Sequence, residues 1–135
     1  MGNLSLGENV EHVTLLTHRE MLSLDAARLE ELVAQLGEHA AEDVVCRALE
    51  ELAARLSHTE RCYREGRFDD MRKSARSLVA IAEQVGMQKL ADVALDVTHC
   101  IDGADGIALS ATLARLLRIG EGSLSEVWDL QGLSI

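Results

Sequence analysis

The sequence predicts an all-α protein, an antiparallel up-and-down four-helix bundle, and three observations support this fold class. The 135 residues include no proline, and the single Phe, Trp and Tyr leave an aliphatic core. Apolar residues recur at alternating spacings of three and four, which is the period of an amphipathic helix. Glycines separate the periodic stretches, and short glycine turns place consecutive helices side by side in opposite directions.

Three segments are predicted: an N-terminal arm over residues 1–22, the helical bundle over 23–119 and a C-terminal tail over 120–135. A chain of this length forms one domain with a single core. The tail is too apolar for a disordered segment, so we expect it to pack over an open end of the bundle. The alternative is a homodimer contact in which Trp128 is the aromatic anchor.

The first two helices of the bundle are predicted from their apolar seams. The first begins at a cap provided by Ser23 or Asp25 and is expected to direct four residues inward, Leu29, Leu32, Val33 and Leu36. The second runs from about Ala40 to Glu65, and its seam alternates spacings of four and three as in a helical bundle. This seam consists of Val45, Leu49, Leu52, Leu56, Thr59 and Tyr63.

The third helix, which begins near Asp69, has two distinct faces. Asp69 or Asp70 is expected to cap its start, and Gly86 is expected to close its end. One face is an apolar stripe made of Met71, Ala75, Leu78, Ala82 and Val85. Arg76 points nearly the opposite way, and around it lie Arg72, Lys73, Val79, Ala80 and Glu83. We expect the stripe to be core and the opposite face to carry any function.

Two further helices complete the predicted bundle. A fourth helix from Met87 to Ile101 is expected to bury Leu90, Ala91, Ala94, Leu95 and Ile101. A turn over residues 102–106 leads to a fifth helix, Ile107 to Ile119, with Leu113, Ala114 and Leu117 inward. The buried core is predicted to include Leu49, Leu52, Leu56, Leu78, Ala82 and Leu95.

Composition and charge exclude several classes of function. The net charge of −10 disfavours binding to nucleic acid and to anionic membrane surfaces, because both would be repelled. No apolar run approaches the roughly 20 residues of a membrane span, and the opening residues lack the pattern of a signal peptide. Cys46, Cys62 and Cys100 form no CxxC pair, so free thiols in the cytoplasm are expected rather than disulfides or a zinc site.

The residues around Arg76 resemble the histidine-containing phosphotransfer (HPt) family of bacterial phosphorelays. That family carries a helix of the form A-H-x-L-K-G-x-x-x-x-x-G-x-x-x-L. This chain has Ala75, Leu78, Gly86 and Leu90 at the matching positions without a gap. The phosphoacceptor histidine of the family corresponds to Arg76, its lysine to Val79 and its first glycine to Ala80.

The resemblance implies an HPt-like bundle that lacks the reactive group. A guanidinium stays protonated and has no lone pair to offer, so Arg76 cannot accept a phosphoryl group. The expected function is therefore that of a non-catalytic adaptor or regulator, without cofactor or metal. Its partner would be a response-regulator receiver domain or a histidine kinase. The candidate partner-binding residues are Arg72, Lys73, Arg76, Val79, Ala80 and Glu83, since a receiver carries an acidic pocket around its phosphorylated aspartate.

Two alternatives remain open from the sequence. One is a structural or oligomerising helical bundle unrelated to phosphorelays. The other is an active phosphotransfer protein that uses another histidine, and the candidates are His12, His18, His39, His58 and His99. None of these is followed by the Leu-Lys-Gly run of the family. No phosphate-binding loop, Ser-His-Asp set or HExxH motif is present, so no enzyme is expected.

Overall fold

A computed structural model describes residues 26–134, with side chains for residues 27–122 and Leu124. This part of the chain is helical and contains no strand. Its helices are α1 (Ala26–Leu36), α2 (Glu38–Arg64), α3 (Phe68–Gln84), α4 (Gln88–Asp102) and α5 (Gly106–Ser134). None of the helices in the described residues is long and apolar enough to cross a membrane. The predicted arm, the two candidate caps of α1, His12 and His18 lie outside the described residues.

The helices pack in a closed order. Each packs against the next one along the chain, and α5 also returns to contact α2. Side-chain pairs between neighbours lie at similar distances from the intervening turn, as expected when the two helices run in opposite directions. The pairs are Thr59 with Ser74 across α2 and α3, and Arg72 with Asp102 across α3 and α4. Cys100 of α4 also contacts Thr112 of α5.

The turns that end α2, α3 and α4 share one hydrogen-bonding motif. After α2, the Arg67 amide donates to the Cys62 carbonyl at 2.9 Å, and the Gly66 amide donates to the Tyr63 carbonyl at 3.2 Å. These bonds satisfy carbonyls that a helix end leaves unpaired. They require a left-handed backbone conformation at the position that Gly66 occupies after α2. Glycine occupies that position after α2 and α3, but Ala104, with φ 52°, occupies it after α4. A left-handed alanine costs about 1–2 kcal/mol.

The predicted core is confirmed at five of its six positions. Leu49, Leu52, Leu56, Leu78 and Ala82 are buried, and Val85 and Met87 extend the core into the α3–α4 turn. Leu95 was predicted incorrectly, because 43% of its surface is exposed. The residues of α4 that face α3 and α5 are Leu90, Ala91, Val93, Ala94, Val97 and Thr98. This inward face turns Leu95 to solvent.

Predictions for four other residues differ from the structure. Leu36 is the last residue of α1, and its side chain is exposed. Ala114 is exposed, because Leu109, Leu113 and Leu116 form the inward face of α5. Neither Asp69 nor Asp70 caps α3, since the helix already begins at Phe68 and both acids lie within its first turn. Their charges there still favour the helix dipole.

Helix α5 does not end at Ile119 as predicted but continues to Ser134, so the predicted start of the tail lies inside it. Leu124 is buried, and the side chain of Trp128 lies outside the description. Gly120 is buried against α2, and a Cβ there would lie 2.5 Å from Leu56 Cδ1. Glycine at this position therefore allows α5 to approach α2 closely. Gly122 is exposed, and a Cβ there would meet no atom within 4 Å.

A pair of buried hydroxyl groups lies between α2 and α3. The Oγ1 of Thr59 and the Oγ of Ser74 are 2.7 Å apart, and Thr59 also donates to the Arg55 carbonyl at 2.7 Å. Both side chains are almost completely buried. Each hydroxyl has a partner, so neither incurs the penalty of an unsatisfied buried polar group. The presence of Thr59 in an otherwise apolar seam is explained by this contact.

Truncating the core should destabilise the fold far more than truncating the exposed face of α4. We expect Leu52→Ala and Leu78→Ala each to lower the free energy of unfolding by about 2–5 kcal/mol, because each leaves a cavity. Leu95→Ala is the matched control and should change it by less than about 1 kcal/mol. Urea denaturation followed by circular dichroism measures all three. Equal losses at positions 78 and 95 would contradict this assignment of the core.

The two glycines of α5 should respond in opposite ways to alanine. Gly122→Ala should stabilise the protein by about 0.5–1 kcal/mol, because alanine is the better helix former and meets no neighbour. Gly120→Ala has the same helical advantage but forces Leu56 to move, at a cost of about 1–3 kcal/mol for overpacking. We therefore expect Gly120→Ala to be neutral or destabilising. Thermal unfolding of both variants tests this, and equal stabilisation by both would contradict the close contact.

Candidate functional site

The candidate site is the solvent-facing side of α3. Met71, Ala75 and Leu78 are fully buried, and each residue of a helix turns about 100° from the one before. Arg76 therefore points away from the core, and its side chain is exposed near the middle of the helix. Within the described residues, no acid lies within ion-pair distance of Arg76. Its guanidinium is available to a partner.

Arg72, one turn before Arg76, is already engaged within the protein. Its Nε lies 2.7 Å from Asp102 Oδ1, and its Nη2 lies 3.1 Å from Asp102 Oδ2. This two-pronged ion pair joins the first half of α3 to the last residue of α4. The hydrogen bond from Arg72 lowers the pKa of Asp102, partial desolvation opposes that shift, and the charges of Arg72, His99 and Arg76 add to it. The same hydrogen bond raises the pKa of Arg72.

The other predicted partner-binding residues differ in exposure. Lys73, Ala80 and Glu83 are exposed, and among the described residues Lys73 makes no ion pair. Val79 is half-buried and packs against the core, so it contributes less to this surface than expected. The surface therefore has a smaller apolar centre, formed by Ala80. Its available positive charge comes from Lys73 and Arg76.

A polar groove between α2 and α3 was not found from the sequence. It is a cavity of about 160 Å³ lined by Arg55, His58, Asp70, Lys73, Ser74 and Ser77. The spacings i, i+3 on α2 and i, i+4 on α3 place these residues on one side of each helix. Only the packing of the two helices brings the two sets together. Lys73 belongs both to this groove and to the face around Arg76.

An apolar cavity of about 290 Å³ lies at the end of the protein where α3 begins and α4 meets α5. It is lined by Phe68, Cys100, Ile101, Ala104, Asp105, Gly106 and Leu109. Phe68 is 45% exposed, and its ring meets Tyr63 edge to face at 6.4 Å. Ile107 nearby is 88% exposed. Because Phe68 precedes Arg76 by eight residues, this cavity lies about 12 Å along α3 from Arg76.

Among the described residues, the cysteines and histidines form no metal-binding cluster, and one cysteine contacts a histidine. Cys46, Cys62 and Cys100 form no disulfide. Within the described residues, no cluster of three His, Cys, Asp or Glu side chains could hold a metal ion. Cys62 is buried, its Sγ lies 3.5 Å from His58 Nε2, and it accepts a 3.6 Å contact from Arg67.

The geometry of the face around Arg76 suits electrostatic recognition. A guanidinium offers five donors in a planar fork that matches carboxylate and phosphate oxygens. The exposed Arg76 and Lys73 can therefore attract and orient an acidic group. A guanidinium has no lone pair to offer a phosphoryl group as a nucleophile. Comparisons with family models, with curated proteins and with solved structures found no match to this chain.

The ion pair between Arg72 and Asp102 should give a pH-dependent contribution to stability. The folded-state pKa of Asp102 is depressed, so the contribution is present above the pKa of an unfolded aspartate and is lost as the pH falls through the folded value. We expect Asp102→Asn to be less stable than wild type near neutral pH, with the difference shrinking toward about pH 2. Urea denaturation at both pH values measures this. Asp92→Asn, an exposed acid elsewhere on α4, is the control, and a difference independent of pH at Asp102 would contradict the pair.

Proposed function

We propose that this protein is an HPt-like signalling adaptor in the cytoplasm, an antiparallel four-helix bundle that binds a receiver domain or a histidine kinase without passing phosphate. The bundle comprises α2 to α5, and α1 packs on α2. The exposed position of Arg76 in the middle of α3 carries the proposal. It occupies the place in the sequence frame where the HPt family holds its phosphoacceptor histidine. Under this proposal the protein regulates or titrates its partner and is not an enzyme.

The electrostatics of the face support an acidic partner. The chain has a net charge of −10, yet Lys73 and Arg76 present available positive charge on the exposed side of α3. A receiver domain carries an acidic pocket around its phosphorylated aspartate. Opposite charges on the two surfaces would accelerate encounter and orient the partner. The charge of Arg76 would then interact with the pocket at the point where an active family member exchanges phosphate.

Arg72 lies at one edge of the proposed docking face, where it is paired with Asp102. Its two bonds to Asp102 hold its guanidinium against the end of α4. In this proposal Arg72 stiffens the surface next to Arg76 and contributes a paired charge to partner binding. Glu83 lies about two turns beyond Arg76 on the exposed side and adds a negative charge at the other edge. Positive charge is thereby concentrated at Lys73 and Arg76.

Reversing the charge of Arg76 should weaken binding to a receiver domain while the fold is retained. The partner is first identified by affinity capture of receiver and histidine kinase domains on the full chain. With that partner, Arg76→Glu should lower the association rate by about tenfold at low salt, and added salt should reduce the difference. Surface plasmon resonance at several salt concentrations measures the rates. Arg115→Glu, an exposed arginine on α5, is the matched control, and equal effects of the two variants would exclude Arg76 from the interface.

A phosphotransfer assay on the same proteins separates an adaptor from an active phosphotransfer protein. Phosphorylated receiver is offered to the wild-type chain, and acid-labile phosphate on the chain is followed with time. The adaptor proposal expects no label. It also expects none on Arg76→His, because Val79 and Ala80 still stand where the family has lysine and glycine. Label on the wild-type chain would refute the adaptor proposal and indicate that another histidine is the acceptor.

A further inference from the structure

We propose that the groove between α2 and α3 binds the phosphate group of a small phosphorylated molecule or free phosphate. The groove does not include Arg76, although Lys73 belongs both to it and to the docking face. Its proposed ligand is not a receiver domain. Its walls are formed by Arg55 and His58 on α2 and by Lys73 and Ser77 on α3. Together these residues offer the groups that hold phosphate oxygens: a guanidinium, an ammonium, an imidazole and a hydroxyl.

The cationic groups of the groove are not neutralised by neighbours. Within the described part of the chain, neither Arg55 nor Lys73 has an acid within ion-pair distance. Asp70 is the one acid among the lining residues, and it lies 3.5 Å from the guanidinium of Arg67. Arg67 is also paired with Glu65 at 2.9 Å, so it offsets the charge of Asp70 only in part. The two cations of the groove, Arg55 and Lys73, outnumber its one acid, so the groove has a net positive charge in a protein whose net charge is −10.

The floor of the groove is polar and rigid. Ser74 lies there with 2% of its surface exposed, and its hydroxyl is paired with that of Thr59. Both hydroxyls also lie within hydrogen-bonding distance of the Arg55 carbonyl, at 2.7 Å from Thr59 and 3.3 Å from Ser74. These bonds connect the backbone of α2 at Arg55 to α3 at Ser74. The two walls are consequently held in one register before any ligand arrives.

The donors on the walls can turn toward a ligand. Ser77 donates to the Lys73 carbonyl at 3.2 Å, and rotation of its hydroxyl frees the hydrogen for an anion. The Nε2 of His58 lies 3.5 Å from Cys62 Sγ, so Nδ1 is the ring nitrogen of this lining residue that has no hydrogen-bond partner among the described residues. Phosphate near neutral pH carries about 1.5 to 2 negative charges and three or more strong acceptor oxygens. A singly charged carboxylate satisfies fewer of these donors, which is why the groove favours phosphate.

The test is a titration of the full chain followed by ¹⁵N–¹H correlation spectra. Inorganic phosphate and O-phospho-L-serine are added in separate series, each against sodium chloride at equal ionic strength. We expect saturable shifts centred on the amides of His58, Lys73 and Ser77. The dissociation constant for free phosphate should be on the order of 1 mM, as two charge-assisted hydrogen bonds would provide. Tighter binding of phosphoserine would indicate a phosphate monoester, and equal binding would indicate free phosphate.

Two double variants with the same change in net charge complete the test. Arg55→Gln with Lys73→Gln removes both cations of the groove and should weaken binding at least about tenfold. Arg115→Gln with Arg118→Gln removes two exposed charges from α5 and should leave binding within about twofold. All four residues are exposed, and circular dichroism checks that each variant is folded. A linear response of the wild-type chain to both compounds, or equal weakening by the two double variants, would overturn the proposal.

Discussion

The fully buried face of α3 sets the positions of the helices around it. Met71, Ala75, Leu78 and Ala82 are completely inaccessible to solvent, and α2 and α4 pack on either side of them. The two alanines let the neighbouring helices approach closely, and Leu78 fills the space between. Because this stripe is fully enclosed, the residue opposite it has to face solvent. The exposure of Arg76 is thus a consequence of core packing.

Polar contacts fix the positions that apolar packing leaves adjustable. Aliphatic side chains tolerate small shifts along a helix, whereas hydrogen bonds have narrow limits of distance and angle. Thr59 and Ser74 set the register of α2 against α3, and Arg72 and Asp102 tie α3 to the end of α4. The contact between Thr59 and Ser74 is buried, and the ion pair between Arg72 and Asp102 is partly exposed to solvent. Together they hold the walls of the groove and the surface beside Arg76 in a defined arrangement.

The distribution of charge links the two proposals. An acidic protein repels acidic partners at most of its surface, so encounter is favoured only where positive charge is concentrated. Lys73 borders both the groove and the docking face around Arg76. A phosphate held in the groove would partly neutralise this lysine and reduce the attraction of the face for an acidic partner. The two sites would then compete for the same positive charge.

The existence of the helices, the glycine turns after α2 and α3, and the two faces of α3 can be predicted from the sequence, because helical periodicity and turn chemistry are local properties. The sequence placed Arg76 correctly for the same reason. Packing between the helices places Leu95 in solvent, pairs Arg72 with Asp102 and lets α5 continue past Gly120. The groove between α2 and α3 is also formed by the packing of two helices. Such features depend on which helices meet and at what register, and these contacts join residues too far apart in the chain for local periodicity to specify.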